Sequence, residues 1–392
     1  MRASRRISGR PLLFLLLLIG FGLLGCESKL PSYPPAYREY AYVANAKSDS
    51  VSVIDLLNLR VATTLRVGRA PVALAANPKR NEVYVVNRDA SNVSFIDTEL
   101  NQVVATVGVH GAPVAIAVTA DGKRAFVLNG GSANVSVLDL DVRRVVTTVG
   151  VGAQPVAIDL DSAGKVVVIS NAGGDSVSLL DGESLKVTAT VGVCHGPGDV
   201  AVMPDGSKAF IACRVSGQVA VVDLKRATLL ALLDVGKTPT DVALKPDGGE
   251  VMVTDHDADA ISIIETTPNE VSGSPLIGRN PTNAVVSGDN AFLYVSNSGS
   301  DTVGVYDINN GRVMTPIPVG SGPGPLALSP RQELLIVCDT ASNDVAIIDL
   351  QKLGALPANR RSIPPILVLL PVGMQPSAIA MKSFLLTRPP ER

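Results

Sequence analysis

"PVAIAVTADGKRAFVLNGGSANVSVLDLDVRRVVTTVGV", residues Pro113–Val151, decides the fold. Four extended segments follow one another in it. "PVAIAV" begins at Pro113 and runs toward an Asp-Gly pair at Asp121–Gly122, a short-hairpin signal. "RAFVLN" then ends at Asn129, "VSVLD" ends at Asp139, and "VVTTVGV" closes the unit. Val, Ile, Thr and Phe fill these segments, which suits a pleated, half-buried surface. Strict alternation is clear in "VSVLD" and weaker in its two neighbours. The four strands are named a, b, c and d in chain order.

The unit recurs. Strand c ends at Asp55, Asp97, Asp139, Asp181, Asp223, Glu265, Asp307 and Asp349, and every step is 42 residues. Strand a begins at Pro71, Pro113, Pro155, Pro197, Pro239, Pro281 and Pro323; an eighth, Pro376, is displaced by 11 residues. Strand b ends at Asn45, Asn87, Asn129, Asn171, Cys213, Asp255, Asn297 and Asp339. Four short antiparallel strands per repeat of this length specify an all-β fold, a β-propeller with one sheet per blade. The first b-c-d set, in residues 41–67, has no strand a before it, and the last strand a, "PSAIAMK", has no b-c-d after it. Pairing the two ends gives eight four-stranded blades, closed by the C-terminal strand on the N-terminal repeat. Seven blades is the alternative, should the ends not pair. "GALPANRRSIPPI" is an insertion between strands c and d of the seventh full repeat, and it displaces Pro376.

The b strands "YVAN" (Tyr42–Asn45), "YVVN" (Tyr84–Asn87), "FVLN" (Phe126–Asn129), "MVTD" (Met252–Asp255) and "YVSN" (Tyr294–Asn297) resemble the YVTN repeat, which "PDG" and "VSVID" also match. The resemblance spans residues 41–385 and implies a propeller. It says little about chemistry, because propellers of that family are mostly exported or surface proteins without an assigned reaction.

The N-terminus reads as an export signal. Arg2, Arg5, Arg6 and Arg10 precede the apolar run "PLLFLLLLIGFGLLG", which is short for a membrane span. "LLGC" at Leu23–Cys26 resembles a bacterial lipobox, which implies lipid on Cys26 and a membrane anchor without a span. An ordinary signal peptide with an incidental Cys is the alternative. The expected organisation is a lipoprotein signal peptide at 1–25, a Pro-rich tether at 26–40, the propeller at 41–385 and a tail at 386–392. The expected location is the bacterial envelope, outer membrane or cell surface, with a monomeric chain. Net charge is −2, and residues 1–25 hold four Arg and no acid, which leaves −6 on the rest. No nucleic-acid partner is expected from that balance.

A residue type present in every repeat cannot mark one site. The Asp that ends strand c reads as a turn cap, and the Asn that ends strand b reads as an Asx-turn or left-handed position. Departures from the pattern are the candidates. Cys213 replaces Asn; Asp255 replaces Asn in the next repeat and is followed by His256 and Asp257; Cys194 and His195 stand in a d-to-a loop that elsewhere reads Gly-Ala or Gly-Lys. His110 lies in an equivalent loop two blades away. In a propeller the d-to-a and b-to-c loops share one face around the channel, so all of these belong there. With Met203 facing Lys208 across "PDGS", Gly198 faces Cys213 and Cys194 lies further out. That leaves three readings of Cys194 and Cys213: a disulfide, two separate thiols, or metal ligands with His195 and His256. Cys338, inside a b strand, reads as a buried, inert thiol. "DHDADA" lacks the glycine and terminal Glu of an EF-hand and reads as a polar turn. No GxSxG, HExxH, Walker or dinucleotide fingerprint is present. The expected function is a binding scaffold without a cofactor, holding an envelope protein or small ligand at the channel mouth. A propeller enzyme or a metal-dependent binder on the irregular face is the alternative.

Overall fold

Strands b and c are buried along both faces, whereas strand d alternates exposed and half-buried residues, as in Arg144–Gly150. A strand buried on both faces lies between two neighbouring sheets; an alternating one lies at the outer edge. The computed structural model, which describes residues 33–353 and 365–386, arranges the repeats accordingly. The ring lies within the unit Ala36–Arg392. The expected leader, lipidated Cys26 and residues 26–32 of the tether lie outside the described residues, as do most of the insertion and nearly all of the tail. Among the described residues, no helix is long and apolar enough to cross a membrane.

The protein is an eight-bladed propeller of antiparallel sheets. Blade 1 consists of Pro71–Ala76, Glu82–Asn87, Asn92–Asp97 and Gln102–Gly108 in the order a to d, and blades 2 to 7 follow in chain order. Blade 8 joins the two ends of the ring. Its strand a is Pro376–Leu385, paired with strand b, Tyr37–Asn45, in a register that runs from Tyr37↔Leu385 to Asn45↔Pro376. The seven-blade alternative is excluded by this pairing. The ladder starts at Tyr37 rather than at residue 41, so the last four residues assigned to the tether belong to the ring; the longer closing strand gives them a partner. In blade 6, strand d is broken into Arg312–Val313 and Ile317–Pro318, both paired with strand c. Pro316 between them has no N–H for the ladder.

The apolar core is distributed between blades. Val168 and Val177 of blade 3 pack with Val200, Val202 and Ile211 of blade 4. Ala41, Val43 and Ile54 of blade 8 pack with Ile336, Val345 and Ile347 of blade 7, and Tyr42, Val51 and Val53 pack with Val83, Val85 and Ile96 of blade 1. The terminal blade is therefore sealed on both sides.

Turn chemistry fixes the ends of the strands. The Asp that ends strand c accepts the backbone N–H groups two and three residues on: Asp97 from Glu99 and Leu100 at 2.9 and 3.0 Å, Asp139 from Asp141 and Val142 at 2.9 and 3.2 Å. The residue before each strand-a proline adopts positive φ, from Ala70 at 50° to Gln375 at 55°. The Asn that ends strand b differs from the expectation. It is neither left-handed nor an Asx-turn: Asn171 has φ −111°. Its amide crosses to strand c instead, as Asn129 Nδ2 donates to Asn134 Oδ1 and Ser136 Oγ, both at 2.8 Å. This position is fully buried, so its amide N–H groups need an internal acceptor, and the facing strand supplies one.

Candidate functional site

A glycine in each ordinary d-to-a loop packs on the buried Asn or Asp that ends strand b of the following blade. An added Cβ at Gly68, Gly152, Gly236, Gly278, Gly320 or Gly373 would press into Asn87, Asn171, Asp255, Asn297, Asp339 or Asn45 far inside van der Waals contact. Cys194 and His110 occupy this glycine position in the two remaining repeats. The residue opposite Cys194 is Cys213. The two form a disulfide with Cα atoms 5.8 Å apart, and both are buried. One corner of the ring has thus exchanged a Gly–Asn contact for a covalent link. The disulfide takes both sulfurs out of the thiolate set that a metal site would have used.

The expected facing of Gly198 and Cys213 is corrected. Val202↔Ala209 and Val200↔Ile211 hold that register, but a bulge follows and Pro197 pairs with Cys213. The same irregularity follows Pro155 and Pro239, so the bulge is the price of turning from the loop into strand a.

The d-to-a loops and b-to-c turns share a face because they bind one another. Gly196 N donates to Asp175 Oδ1 at 3.0 Å, and His256 N donates to Thr238 O at 3.1 Å. His195 Nδ1 lies 2.6 Å from Asp175 Oδ2, with its side chain largely exposed. His256 Nδ1 lies 2.7 Å from Asp257 Oδ1, and Thr238 Oγ1 donates to Asp257 Oδ2 at 2.6 Å. The Gly196 N–H and His195 hold the Asp175 carboxyl below the usual range; Thr238 and His256 do the same for Asp257. His195 and His256 thus stand in separate Asp-paired arrangements. His110 is exposed in the loop between blades 1 and 2. Among the described residues, no group of three or more His, Cys, Asp or Glu is placed to hold a metal ion. Cys338 is fully buried, and burial pushes its thiol well up.

Sequence reasoning missed an arc of carboxylates on the inner strands. Two residues below the strand-a proline, blades 1 to 3 carry Ala73, Ala115 and Ala157, whereas blades 4 to 6 carry Asp199, Asp241 and Asn283. Asp159, in blade 3, lies two residues deeper. Each carboxylate caps the inner strand of the next blade: Asp159 accepts from Val202 N at 2.8 Å, Asp199 from Val242 N at 3.0 Å and Asp241 from Ala284 N at 2.9 Å. Strand a has a sheet partner on one edge only, so its other N–H groups need such acceptors or water. Asp199 and Asp241 are partly water-accessible yet surrounded by protein. Burial raises both: Asp241 to about 6, and Asp199 well above the carboxylate range, with the neighbouring Asp241 charge adding to the effect. The signal was present as acids and an amide in strands that otherwise read like "PVAIAV". Asp159 also borders a cavity of 440 Å³ at the turn-side end of the channel, with Val118, Asp161 and Pro204.

Solved structures share the architecture. The Kuenenia stuttgartiensis hydrazine synthase is 21% identical, with TM-score 0.60 over 71% of this chain and 95% of that one. A functionally unknown protein from Desulfotomaculum acetoxidans DSM 771 is 16% identical, with TM-score 0.60 over 87% and 98%. The dihydro-heme d1 dehydrogenase NirN in complex with DHE is 16% identical, with TM-score 0.72 over 90% of this chain and 77% of that one. At these identities the likeness is one of fold. No curated protein matches the chain. The YNCE-like beta-propeller family matches residues 30–165 and 154–360, which together span most of the ring, and this chain belongs to that family.

Proposed function

We propose that the protein is an exported, lipid-anchored propeller that binds a partner on the loop face of blades 4 to 6, where the carboxylates of the channel mouth receive a cationic group. One observation carries this reading. The departures from the repeat gather in one sector: the Cys194–Cys213 bridge, the His195–Asp175 and His256–Asp257 pairs, and the arc of Asp199, Asp241 and Asn283. A partner held in this sector meets a covalently fixed loop and an acidic channel wall.

The double variant Asp199→Asn/Asp241→Asn tests the reading, because Asn Oδ1 can still accept the inner-strand N–H groups. With a partner captured from envelope extracts, affinity at pH 7.5 should fall at least about tenfold, the scale of one lost charge-assisted contact. Wild-type affinity for a cationic group should rise as pH rises through about 6, where Asp241 loses its proton. Unchanged affinity in the variant would remove the channel from the site. The anchor has its own test. Cys26→Ser should move the protein from the membrane to the soluble fraction, since a lipid chain is the proposed attachment. Continued membrane association of that variant, with its leader removed, would count against lipidation.

A further inference from the structure

The b–c corner of blade 7 departs from those of blades 1 and 2 in one chemical respect. In blades 1 and 2 the amide that ends strand b donates to the amide that begins strand c: Asn87 Nδ2 to Asn92 Oδ1, and Asn129 Nδ2 to Asn134 Oδ1, both at 2.8 Å. Blade 7 places two carboxyl groups in those positions, Asp339 opposite Asp344. Asp339 is fully buried, and its Oδ2 accepts the Gly320 N–H at 3.0 Å. Asp339 Oδ1 is buried without a hydrogen-bond partner, as is the Oδ1 of Asn87 and Asn129; at blade 7 the facing Asp344 Oδ1 is buried without one as well. An ionised carboxylate only accepts, so two ionised groups here would repel with no donor between them. One proton turns either group into the donor that Asn supplies in blades 1 and 2.

This corner bears on closure of the ring. The turn between the two Asp residues ends at Asn343. Asn343 O accepts the Val372 N–H at 3.0 Å, and Asn343 Oδ1 accepts the Gln375 N–H at 2.7 Å. The same loop is gripped from the other side by the blade 8 turn: Met374 N donates to Ser48 Oγ at 2.7 Å, and Ala46 N donates to Gln375 O at 3.0 Å. Pro376 follows and starts the closing strand.

We propose that Asp339 and Asp344 share one proton, and that this proton is a pH-sensitive latch whose loss loosens the blade 7 turn holding the loop to the closing strand. The charged groups facing Asp339 are Asp344 from strand c and Asp301 from the blade 6 turn, both acidic; Cys338 beside it is a neutral buried thiol, and the Gly320 loop contributes an N–H. Burial first, then Asp344, pushes Asp339 up to about 8. The folded ring therefore keeps a proton that the unfolded chain releases near its ordinary value of about 4. The stability linked to that proton is complete below about pH 4 and is lost as pH rises through about 8.

The experiment compares wild type with Asp339→Asn and, separately, Asp344→Asn, from pH 5 to 9. Each variant places one amide at the corner and so supplies, without a titrating proton, the kind of donor found in blades 1 and 2. Melting should show the wild-type folding constant falling on the order of a thousandfold more than that of either variant across this range. Hydrogen exchange at Val372 and Gln375, corrected for intrinsic base catalysis, should accelerate with pH in wild type and stay flat in the variants. Parallel stability profiles would overturn the shared proton. A pH-dependent difference in melting without a change at those two amides would overturn the latch.

Discussion

Deleting Pro376–Arg392 is expected to abolish the cooperative melt of the ring. The deletion removes the innermost strand of blade 8 and its whole register with Tyr37–Asn45. It also strips Ile379 and Met381 from the core shared with blade 7, and Ala380 from that shared with blade 1. Ser377 Oγ, which donates to Pro71 O at 2.8 Å, and Lys382 Nζ, which donates to Asn77 O at 2.6 Å, tie the same strand to blade 1. A few buried apolar side chains at about 2 kcal/mol each and a ladder of hydrogen bonds at about 1 kcal/mol each put the loss on the order of 10 kcal/mol. That rivals the whole stability of an ordinary domain. The exposed edge of Tyr37–Asn45 would also invite association. Ala380→Asp, which buries a charge at the same interface, should act in the same direction with the chain intact. A truncated protein that melts within about 3 °C of full length, where 1 kcal/mol shifts a domain of this class by a few degrees, would contradict closure by this strand.

Cys194 and Cys213 should behave as a coupled pair. Their bridge spans 19 residues of sequence and should contribute about 3 kcal/mol on the chain-entropy account. Cys213→Asn alone loses that and also sets a full amide against the Cys194 Cβ, an overpacking that costs a further 1–3 kcal/mol or so. The double variant Cys194→Gly/Cys213→Asn rebuilds the contact seen at Gly152 and Asn171. The double variant should therefore melt higher than the single, although it carries one more substitution. Thermal melts of the two single variants and the double form the cycle that measures this coupling. A single variant as stable as the double would show that Cys194 and Cys213 do not share the packing seen at the other corners.

Reading the columns located part of the candidate site. Cys194, Cys213, His195, Asp255, His256 and Asp257 stood out because each breaks a column, and a column names its own loop. The inner-strand acids were missed because they interrupt strand a rather than the columns at strand ends, and Asp159 stands two residues deeper than Asp199 and Asp241. Their relation appears only when each carboxylate is seen to cap an N–H of the adjacent blade. The partner of His195 was likewise invisible: Asp175 is 20 residues away, on the turn of the preceding blade.

The sequence by itself determined the blade, the number of repeats and the way the ends meet, because a 42-residue period repeats local rules for turns and alternation that need no distant partner. Only the tertiary structure decided what each departure touches. A bulge after the proline moved Cys213 onto Pro197. The glycine column proved to be packed against the buried residue that ends strand b, which explains why Cys194 and Cys213 change together. The physical reason is separation along the chain: strand order follows from local propensity, whereas contacts between blades depend on the twist, bulges and register of two sheets at once.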